Sequence, residues 1–313
     1  MFNLLAVCRG NDLMAGYKVV GAYSLGGSDV FRSPVLIGSS LWVLKQTGAA
    51  GQQFYEIDTA SMTGLSFGGG DGVSRSRMAY DGTNFWTTTD INRFYRNVVA
   101  GFASTFFTGN IIPYRNGSGI CFDGTDLFTT RDDTPFTLIK VSQSTGAQLS
   151  TITFASRMGE LISSDGSIWA PQPNAASVQR VDPSAMTATS IAVGTGPFGV
   201  VAGGGSIWVN NQNGPSVSRI DPSTNTVSAT ITVPGTQNDD VIGFFDDKCW
   251  VRGNASSGRL YSIDLANNIV DELPSAVTSG FISDGSFLYV VRPTSIDKIG
   301  KLAVGWVRGH AWG

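Results

Sequence analysis

The sequence repeats itself about every forty residues, a spacing typical of propellers and solenoids. A short apolar run that carries an aromatic residue occurs seven times, and successive aromatics are 39 to 44 residues apart. The seven periodic aromatics are Trp42, Trp86, Phe128, Trp169, Trp208, Trp250 and Tyr289. Because a single repeat of this kind cannot bury its own apolar face, the repeats must stack on one another. We therefore expect one repeat domain over most of the 313 residues.

Each repeat contains segments in which apolar and polar residues alternate, the pattern of half-buried strands. A turn such as Asp123-Gly124 precedes the aromatic run, and Asp-Gly between apolar runs is a strong hairpin signal. A second run follows about ten residues after the aromatic, as in Val217 to Asp221, and a third closes the unit, as in Thr226 to Val233. Four short strands per repeat predict an all-β fold, a seven-bladed β-propeller with four-stranded blades.

Two segments compete to supply the outer strand of the seventh blade. Tyr17 to Tyr23 resembles the closing runs of the other blades, and Leu302 to Val307 is the alternative. We predict that the N-terminal strand closes the ring, which removes an open sheet edge. The predicted organisation is an N-terminal extension over residues 1–16, the propeller over 17–300 and a C-terminal tail over 301–313.

Residues 205–235 carry the most regular unit. It reads Gly-Ser-Ile-Trp-Val, then Val-Ser-Arg-Ile-Asp-Pro-Ser-Thr-Asn-Thr-Val, then Ile-Thr-Val-Pro-Gly. This unit resembles the seven-bladed propellers related to YncE, NHL repeats and virginiamycin B lyase, strongly over about residues 160–270 and more loosely elsewhere. The resemblance implies the propeller fold. It implies no single function, since such rings serve as lyases, as binders and as phage or surface structural modules.

The residue types that catalysis would need are largely missing from the predicted blades. The only histidine, His310, lies outside them, which excludes a Ser-His-Asp or Cys-His arrangement and a His-rich metal site within the ring. The resembling lyases use a His general base with a metal-bound carboxylate, so their activity is not expected here. Cys8, Cys121 and Cys249 are an odd and widely spaced set that indicates neither disulfides nor a metal site. We predict no catalytic residue, no metal and no cofactor.

The periodic aromatics share one structural position, and we expect them to pack between blades and not to stack on a glycan. Cys249 occupies the position of Ile168 and Ile207 in other repeats. It is therefore expected to be a buried small hydrophobic residue.

Charged residues make up only 14% of the chain, with 21 Lys and Arg, 24 Asp and Glu, and a net charge of −3. This balance argues against nucleic-acid binding through a basic face. No stretch approaches the ~18 apolar residues of a membrane span, and the run from Phe2 to Cys8 lacks the features of a secretory signal. The surface must be covered largely by Ser, Thr, Asn and Gln, as is common on secreted and virion proteins.

An arginine recurs before the inner strand of each of the first four blades, 9 to 13 residues ahead of the aromatic. These arginines are Arg32, Arg75, Arg77, Arg115 and Arg157. Blade six has Asp239 and Asp240 at the same place. The functional interpretation is a cationic arc at the channel mouth that holds an anion, such as an acidic sugar or a partner's carboxylates. The alternative is solvated loop charge with local salt bridges.

Two tryptophans in the tail, Trp306 and Trp312, are out of phase with the blade aromatics. One interpretation is that the tail docks on a neighbouring subunit with Trp312 as its anchor, because tryptophan is a common interface anchor. The other is that Leu302 to Val307 completes blade seven and the last residues fray.

From these observations we expect a non-catalytic structural and binding propeller. The specific hypothesis is a phage virion component at the tail, made in the cytoplasm, that binds other virion or assembly proteins, a host-surface glycan or an acidic ligand. The alternatives are a lyase- or hydrolase-like enzyme that acts at the channel face through carboxylates and Arg, and a periplasmic or extracellular ligand-binding propeller.

Overall fold

A computed structural model of the chain describes residues 12–14, 17–25, 30–46, 53–68, 75–89, 94–98, 104–107, 119–234, 242–253, 259–274, 280–292 and 295–301. These ranges consist of strands, turns and short connections. No helix with the length and apolar character needed to cross a membrane is found among them.

Seven antiparallel sheets form the blades. Two strands, β1 (Asp12–Met14) and β2 (Tyr17–Ser24), precede the first complete blade. Blade one contains β3 (Val30–Ile37), β4 (Ser40–Gln46), β5 (Gln53–Asp58) and β6 (Thr63–Gly68). Blade two contains β7 (Arg75–Tyr80), β8 (Asn84–Thr89), β9 (Phe94–Val98) and β10 (Ser104–Phe107). Blade three contains β11 (Ile120–Phe122), β12 (Asp126–Arg131), β13 (Phe136–Ser142) and β14 (Gln148–Phe154).

The remaining blades follow the same order along the chain. Blade four contains β15 (Ile162–Ser164), β16 (Ser167–Gln172), β17 (Ser177–Asp182) and β18 (Thr187–Ala192). Blade five contains β19 (Pro197–Gly203), β20 (Ser206–Asn211), β21 (Ser216–Asp221) and β22 (Thr226–Thr232). Blade six contains β23 (Ile242–Phe245), β24 (Lys248–Arg252), β25 (Arg259–Asp264) and β26 (Val270–Pro274). Blade seven contains β27 (Gly280–Ser283), β28 (Leu288–Val291) and β29 (Ser295–Lys301), completed by β2 and β1.

The first strand of each blade lies at the centre of the ring. These strands contact one another in a closed cycle from β3 through β7, β11, β15, β19, β23 and β27 back to β3. The connection that enters β15 also approaches the next blade closely: a Cβ at Gly159 would lie 2.5 Å from the carbonyl oxygen of Phe198 in β19, which only glycine allows. The predicted fold, an all-β seven-bladed propeller with four-stranded blades, is confirmed.

The N-terminal strand closes the ring, as predicted. β2 pairs antiparallel with β29 from Tyr17 opposite Lys301 to Ser24 opposite Ser295. The Tyr17 hydroxyl also donates a 2.5 Å hydrogen bond to Asp246 Oδ2 of blade six, and Lys301 forms an ion pair with the same carboxylate. β1 adds a fifth strand outside β2, a pairing that the sequence pattern does not indicate. The domain boundaries at 16 and 300 stay a prediction.

The turns that precede the aromatics are of two kinds. In blade four, Asp165 and Gly166 both have positive φ, 51° and 66°, as the Asp-Gly signal predicts for a tight hairpin. In blade three only Gly124 has positive φ, and the Asp123 carboxylate instead accepts the N–H groups of Thr125 and Asp126, both at 2.8 Å. The Asp therefore caps the turn where it does not adopt the left-handed conformation itself.

All seven periodic aromatics are buried between blades. Each is at most 2% exposed, and each packs into the apolar cluster shared with the following blade. Five of them donate a hydrogen bond near the preceding turn. For example, Trp208 Nε1 donates to the carbonyl oxygen of Gly203 at 3.0 Å, and the Tyr289 hydroxyl donates to Asp284 Oδ2 at 2.7 Å. Cys249 is fully buried in the cluster between blades five and six. Both packing predictions are confirmed.

We expect Trp208→Ala to lower the free energy of unfolding by about 3–5 kcal/mol, because it opens a cavity in the cluster between blades five and six. Chemical denaturation followed by tryptophan fluorescence and circular dichroism measures this loss. Leu149→Ala is the control, since Leu149 is 52% exposed on β14 and its truncation should cost little. Equal losses in the two variants would contradict the packing role.

Candidate functional site

The ring has two faces that differ in their connections. We label the four strands of a blade A to D, from the centre of the ring outward. The A–B turns of all blades and the C–D turns of blades one to six lie on one face, which we call the turn face. The B–C connections and the segments that lead from one blade to the next lie on the other, which we call the loop face. This division follows from the antiparallel order of the strands in every blade. The connections that enter the inner strands, where the arginine arc is predicted, belong to the loop face.

The predicted arginines differ in their placement. Arg32 lies within β3 and Arg75 and Arg77 lie within β7, so these three are in inner strands and not in the connections before them. In both strands the pairing register shifts next to the arginine, between Arg32 and Val35 and between Arg75 and Arg77. Such a bulge lets the strand continue past an irregular residue, which a count back from the aromatic does not reveal. Arg157 lies in the connection between β14 and β15, as predicted.

Arg77 is engaged in an ion pair between blades. Its Nε lies 3.0 Å from Glu160 Oε1, and the two side chains are 11% and 30% exposed. Arg77 belongs to blade two, whereas Glu160 precedes the inner strand of blade four, so the pair spans the inner end of blade three. The Glu160 N–H donates in turn to the carbonyl oxygen of Phe198 in blade five at 3.0 Å. Glu160 is a single acidic residue in a connection, and no sequence pattern indicates that it pairs with Arg77.

Arg157 is exposed on the loop face. Its guanidinium carbon lies 5.9 Å from the centroid of the Phe198 ring, at the boundary of blades four and five. Glu160 is three residues away, so Arg157 and the Arg77–Glu160 pair occupy the same part of this face. Whether all the predicted arginines form one arc stays a prediction, since Arg115 lies outside the described residues, as do the side chains of Arg32 and Arg75.

Two other arginines on the loop face are paired within their own blades. Arg131 Nε lies 2.8 Å from Asp133 Oδ1 in blade three, and Arg292 Nε lies 2.5 Å from Asp297 Oδ2 in blade seven. Asp239, Asp240, His310, Trp306 and Trp312 lie outside the described residues. Among the described residues, no group of three or more His, Cys, Asp or Glu side chains is arranged to hold a metal ion.

A repeated cation links blades on the turn face. Arg180 lies opposite Trp169 and Arg219 lies opposite Trp208, each on the third strand of its blade. Their guanidinium carbons are 5.2 and 5.0 Å from the indole centroids. A cation over an indole face is favourable, so these contacts add to the burial of the ring.

Arg180 and Arg219, together with Lys140 and Lys298 on the third strands of blades three and seven, donate hydrogen bonds to the C–D turn of the next blade. The four bonds to turn carbonyl oxygens are Lys140 to Pro183 at 3.0 Å, Arg180 to Pro222 at 2.5 Å, Arg219 to Leu265 at 2.8 Å and Lys298 to Thr59 at 2.7 Å. We call these four bonds the interblade latches. In the sequence, each latch corresponds to a Lys or Arg that lies 9 to 12 residues after the periodic aromatic, a pattern that the sequence-based predictions do not include.

The acidic side chains of the turn face are used in the turns. Asp182 Oδ1 accepts hydrogen bonds from the Ser184 hydroxyl at 2.6 Å and from the Ala185 N–H at 3.0 Å, and these bonds lower the pKa of Asp182. Burial would raise the pKa of Asp81, but hydrogen bonds from Trp86 and from two backbone N–H groups outweigh burial and lower it. These carboxylates are therefore ionised at neutral pH and serve the local fold.

The described thiols are unsuited to nucleophilic chemistry. Cys121 and Cys249 are buried, and burial raises the pKa of both thiols above the ordinary value. A cysteine nucleophile needs a lowered pKa and access to substrate. Cys8 lies outside the described residues.

No protein-family model matches the sequence, and no curated protein matches it. Solved structures with the same fold include the WD40 repeats of RRP9, with a TM-score of 0.71 and 13% identity, over 93% of this chain and 100% of that one. U3-55K matches with a TM-score of 0.70 and 14% identity, over 92% and 99%. The Pan2 WD40 domain of Neurospora crassa matches with a TM-score of 0.71 and 11% identity, over 92% and 96%. At these identities the similarity shows the fold alone.

We expect Arg219→Met to destabilise the ring by about 1–3 kcal/mol, because it removes a charged hydrogen bond to the carbonyl oxygen of Leu265 and leaves that oxygen unpaired. Urea denaturation measures the change. The matched control is Arg157→Met, the same substitution at an exposed position, which should change stability by less than about 0.5 kcal/mol. A variant at Arg219 that is as stable as the control would show that the latch contributes nothing.

Proposed function

We propose that this propeller is a non-catalytic binding module. The observation that carries the proposal is that many described side chains able to do chemistry have a structural role. Cations donate to the turns of neighbouring blades, carboxylates cap turns, and the two described thiols are buried. Such a ring is a platform for partners, and its outer strands β18 and β22 expose mainly Thr, Ser and Ala. The propeller architecture leaves only short sheet edges, so most of its accessible surface consists of the two faces and their loops, where partners can bind.

The contact site that we propose is the loop face around Arg157. An exposed guanidinium beside the Phe198 ring supplies a planar set of donors next to an apolar surface. This combination suits a carboxylate, either of an acidic sugar or of a protein partner. Arg32, Arg75 and Arg115 would extend the site as the predicted arc, whereas Arg77 is engaged with Glu160.

We further propose that the chain is a phage virion component at the tail, made in the cytoplasm and assembled with other virion proteins or directed to a host surface. The support comes from the sequence: the low content of charged residues, the surface rich in Ser and Thr, and the resemblance to the propellers related to YncE, NHL repeats and virginiamycin B lyase. The tail with Trp306 and Trp312 is the proposed docking segment.

Binding to an acidic polysaccharide tests the loop-face site. We expect Arg157→Gln to weaken the retention of the protein on immobilised alginate by about tenfold or less, as for the loss of one charge-assisted contact. The control is Arg259→Gln, which removes an exposed arginine from blade six on the same face. Retention that is equal in both variants, or absent in the wild-type protein, would contradict an anion site at Arg157.

Deletion of residues 308–313 tests the virion role. Because chain ends commonly fray and add little to stability, the melting temperature should stay nearly unchanged, while incorporation into purified particles should be lost. Immunogold electron microscopy of the particles provides the readout, with the full chain expected at the tail. If the full chain is absent from particles, the virion hypothesis is wrong; if the truncated chain is incorporated normally, only the docking role of the tail is wrong.

A further inference from the structure

The outer strand of each blade has an edge whose backbone N–H and C=O groups face away from the sheet. Proteins protect such edges with charges, prolines, glycines, bulges, short strands or a covering segment. In this ring blade seven has β1 over its edge, and blade six has Asp271, Glu272 and Pro274 in β26. Blade two has only four residues in β10. Six of the seven edges carry one of these devices.

Blades one, three and five are protected in other ways. β6 of blade one contains Gly64 and Gly68, which weaken a strand. β14 and β22 each contain a break in register, opposite Lys140 and Val141 in blade three and opposite Arg219 and Ile220 in blade five. An irregularity of this kind bends an edge away from a potential partner.

β18 of blade four has none of these protections. Its six residues read Thr-Ala-Thr-Ser-Ile-Ala, without a charge, a glycine or a proline. All six pair with β17 in unbroken register, from Asp182 opposite Thr187 to Ser177 opposite Ala192. Five of the six side chains are exposed, and the exception is Ile191. This edge is straight, neutral and lined by small or β-branched residues, the features that favour strand addition.

The backbone groups available on this edge can be identified. Val193 directly follows β18, and in the same register it lies opposite Ala176, which directly precedes β17. The Val193 N–H donates to the carbonyl oxygen of Ala176, so these two residues form a hydrogen-bonded pair. Because hydrogen-bonded and non-hydrogen-bonded pairs alternate in an antiparallel ladder, Thr187, Thr189 and Ile191 also bond to β17. The N–H and C=O groups of Ala188, Ser190 and Ala192 therefore point outward.

We propose that a second copy of this chain pairs on the edge, with β18 antiparallel to β18 about a two-fold axis at Ser190. In this register Ser190 opposes itself and Ala188 opposes Ala192 of the other copy, and about six backbone hydrogen bonds form across the axis. Thr189 opposes Ile191, a β-branched pair that suits neighbouring strands. The result is one eight-stranded sheet that joins the two blades.

Two features of the chain favour a second copy as the occupant. A two-fold interface must be self-complementary, and the edge meets this condition because it has no charge that would repel its own image. The same chain also adds a strand to an outer edge elsewhere, where β1 pairs with β2. The proposal is independent of the loop-face site, which lies on the connections and not on the outer strands.

Analytical ultracentrifugation of the full chain over a range of concentrations tests the proposal. We expect twice the monomer mass for the wild-type protein. The A188K/A192K variant should reduce the mass to that of a monomer, because it places like charges opposite each other across the axis. The A188K/A192E variant should restore the dimer, since each lysine then opposes a glutamate. S228K/T230K on β22 is the control for added charge on a neighbouring outer strand and should leave the dimer intact.

Hydrogen exchange of the wild-type protein provides a readout that does not depend on the folding of a variant. The peptide that covers residues 187–193 should exchange at least several-fold more slowly at high than at low protein concentration, whereas the corresponding peptide of β22 should not change. A monomer at all concentrations, or a dimer whose exchange protection lies elsewhere, overturns the proposal.

Discussion

The ring depends on one contact that is repeated between neighbouring blades. The aromatic residue of each blade is buried against the following blade, and in four blades a cation over that ring, or beside it, donates to the following blade's turn. Burial of a large aromatic is among the largest single gains in a core, and a charged hydrogen bond adds roughly 1.5–3 kcal/mol. All four latches run from one blade to the next along the chain, so blades four, five, six and one are each held by the preceding blade of the ring.

The junction between blades six and seven shows what replaces a latch. Here the cation's position is occupied by Ser262, which lies opposite Trp250. The Asp246 carboxylate instead joins this junction by accepting from Tyr17 and pairing with Lys301. The Tyr17 ring packs edge-on against Trp250 with a centroid distance of 5.2 Å. At this junction the N-terminal strand therefore supplies the interblade contact that a cation supplies at the four latched junctions.

Periodic properties could be predicted from the sequence, and contacts between distant side chains could not. The aromatic period places Trp208 and its equivalents between blades, and the alternation in Tyr17 to Tyr23 indicates a closing strand, because both depend on local pattern. The ion pair of Arg77 with Glu160 joins two residues from different blades that share no sequence motif. The position of Arg32 within a strand depends on a bulge, which leaves no clear mark in the sequence. Of the predicted site residues, Arg157 is the one that the described structure leaves exposed beside an aromatic ring.

The pairing of β2 with β29 sets the order in which the molecule can be made. Tyr17 is synthesised well before its partner Lys301, which is the last described residue. The other blades are built from consecutive strands, so they can form while synthesis continues. Blade seven has to wait for about 280 residues of intervening chain, and loop closure over such a span is slow compared with a hairpin. Until then β2 can pair only with β1, and the ring closes when blade seven captures this strand.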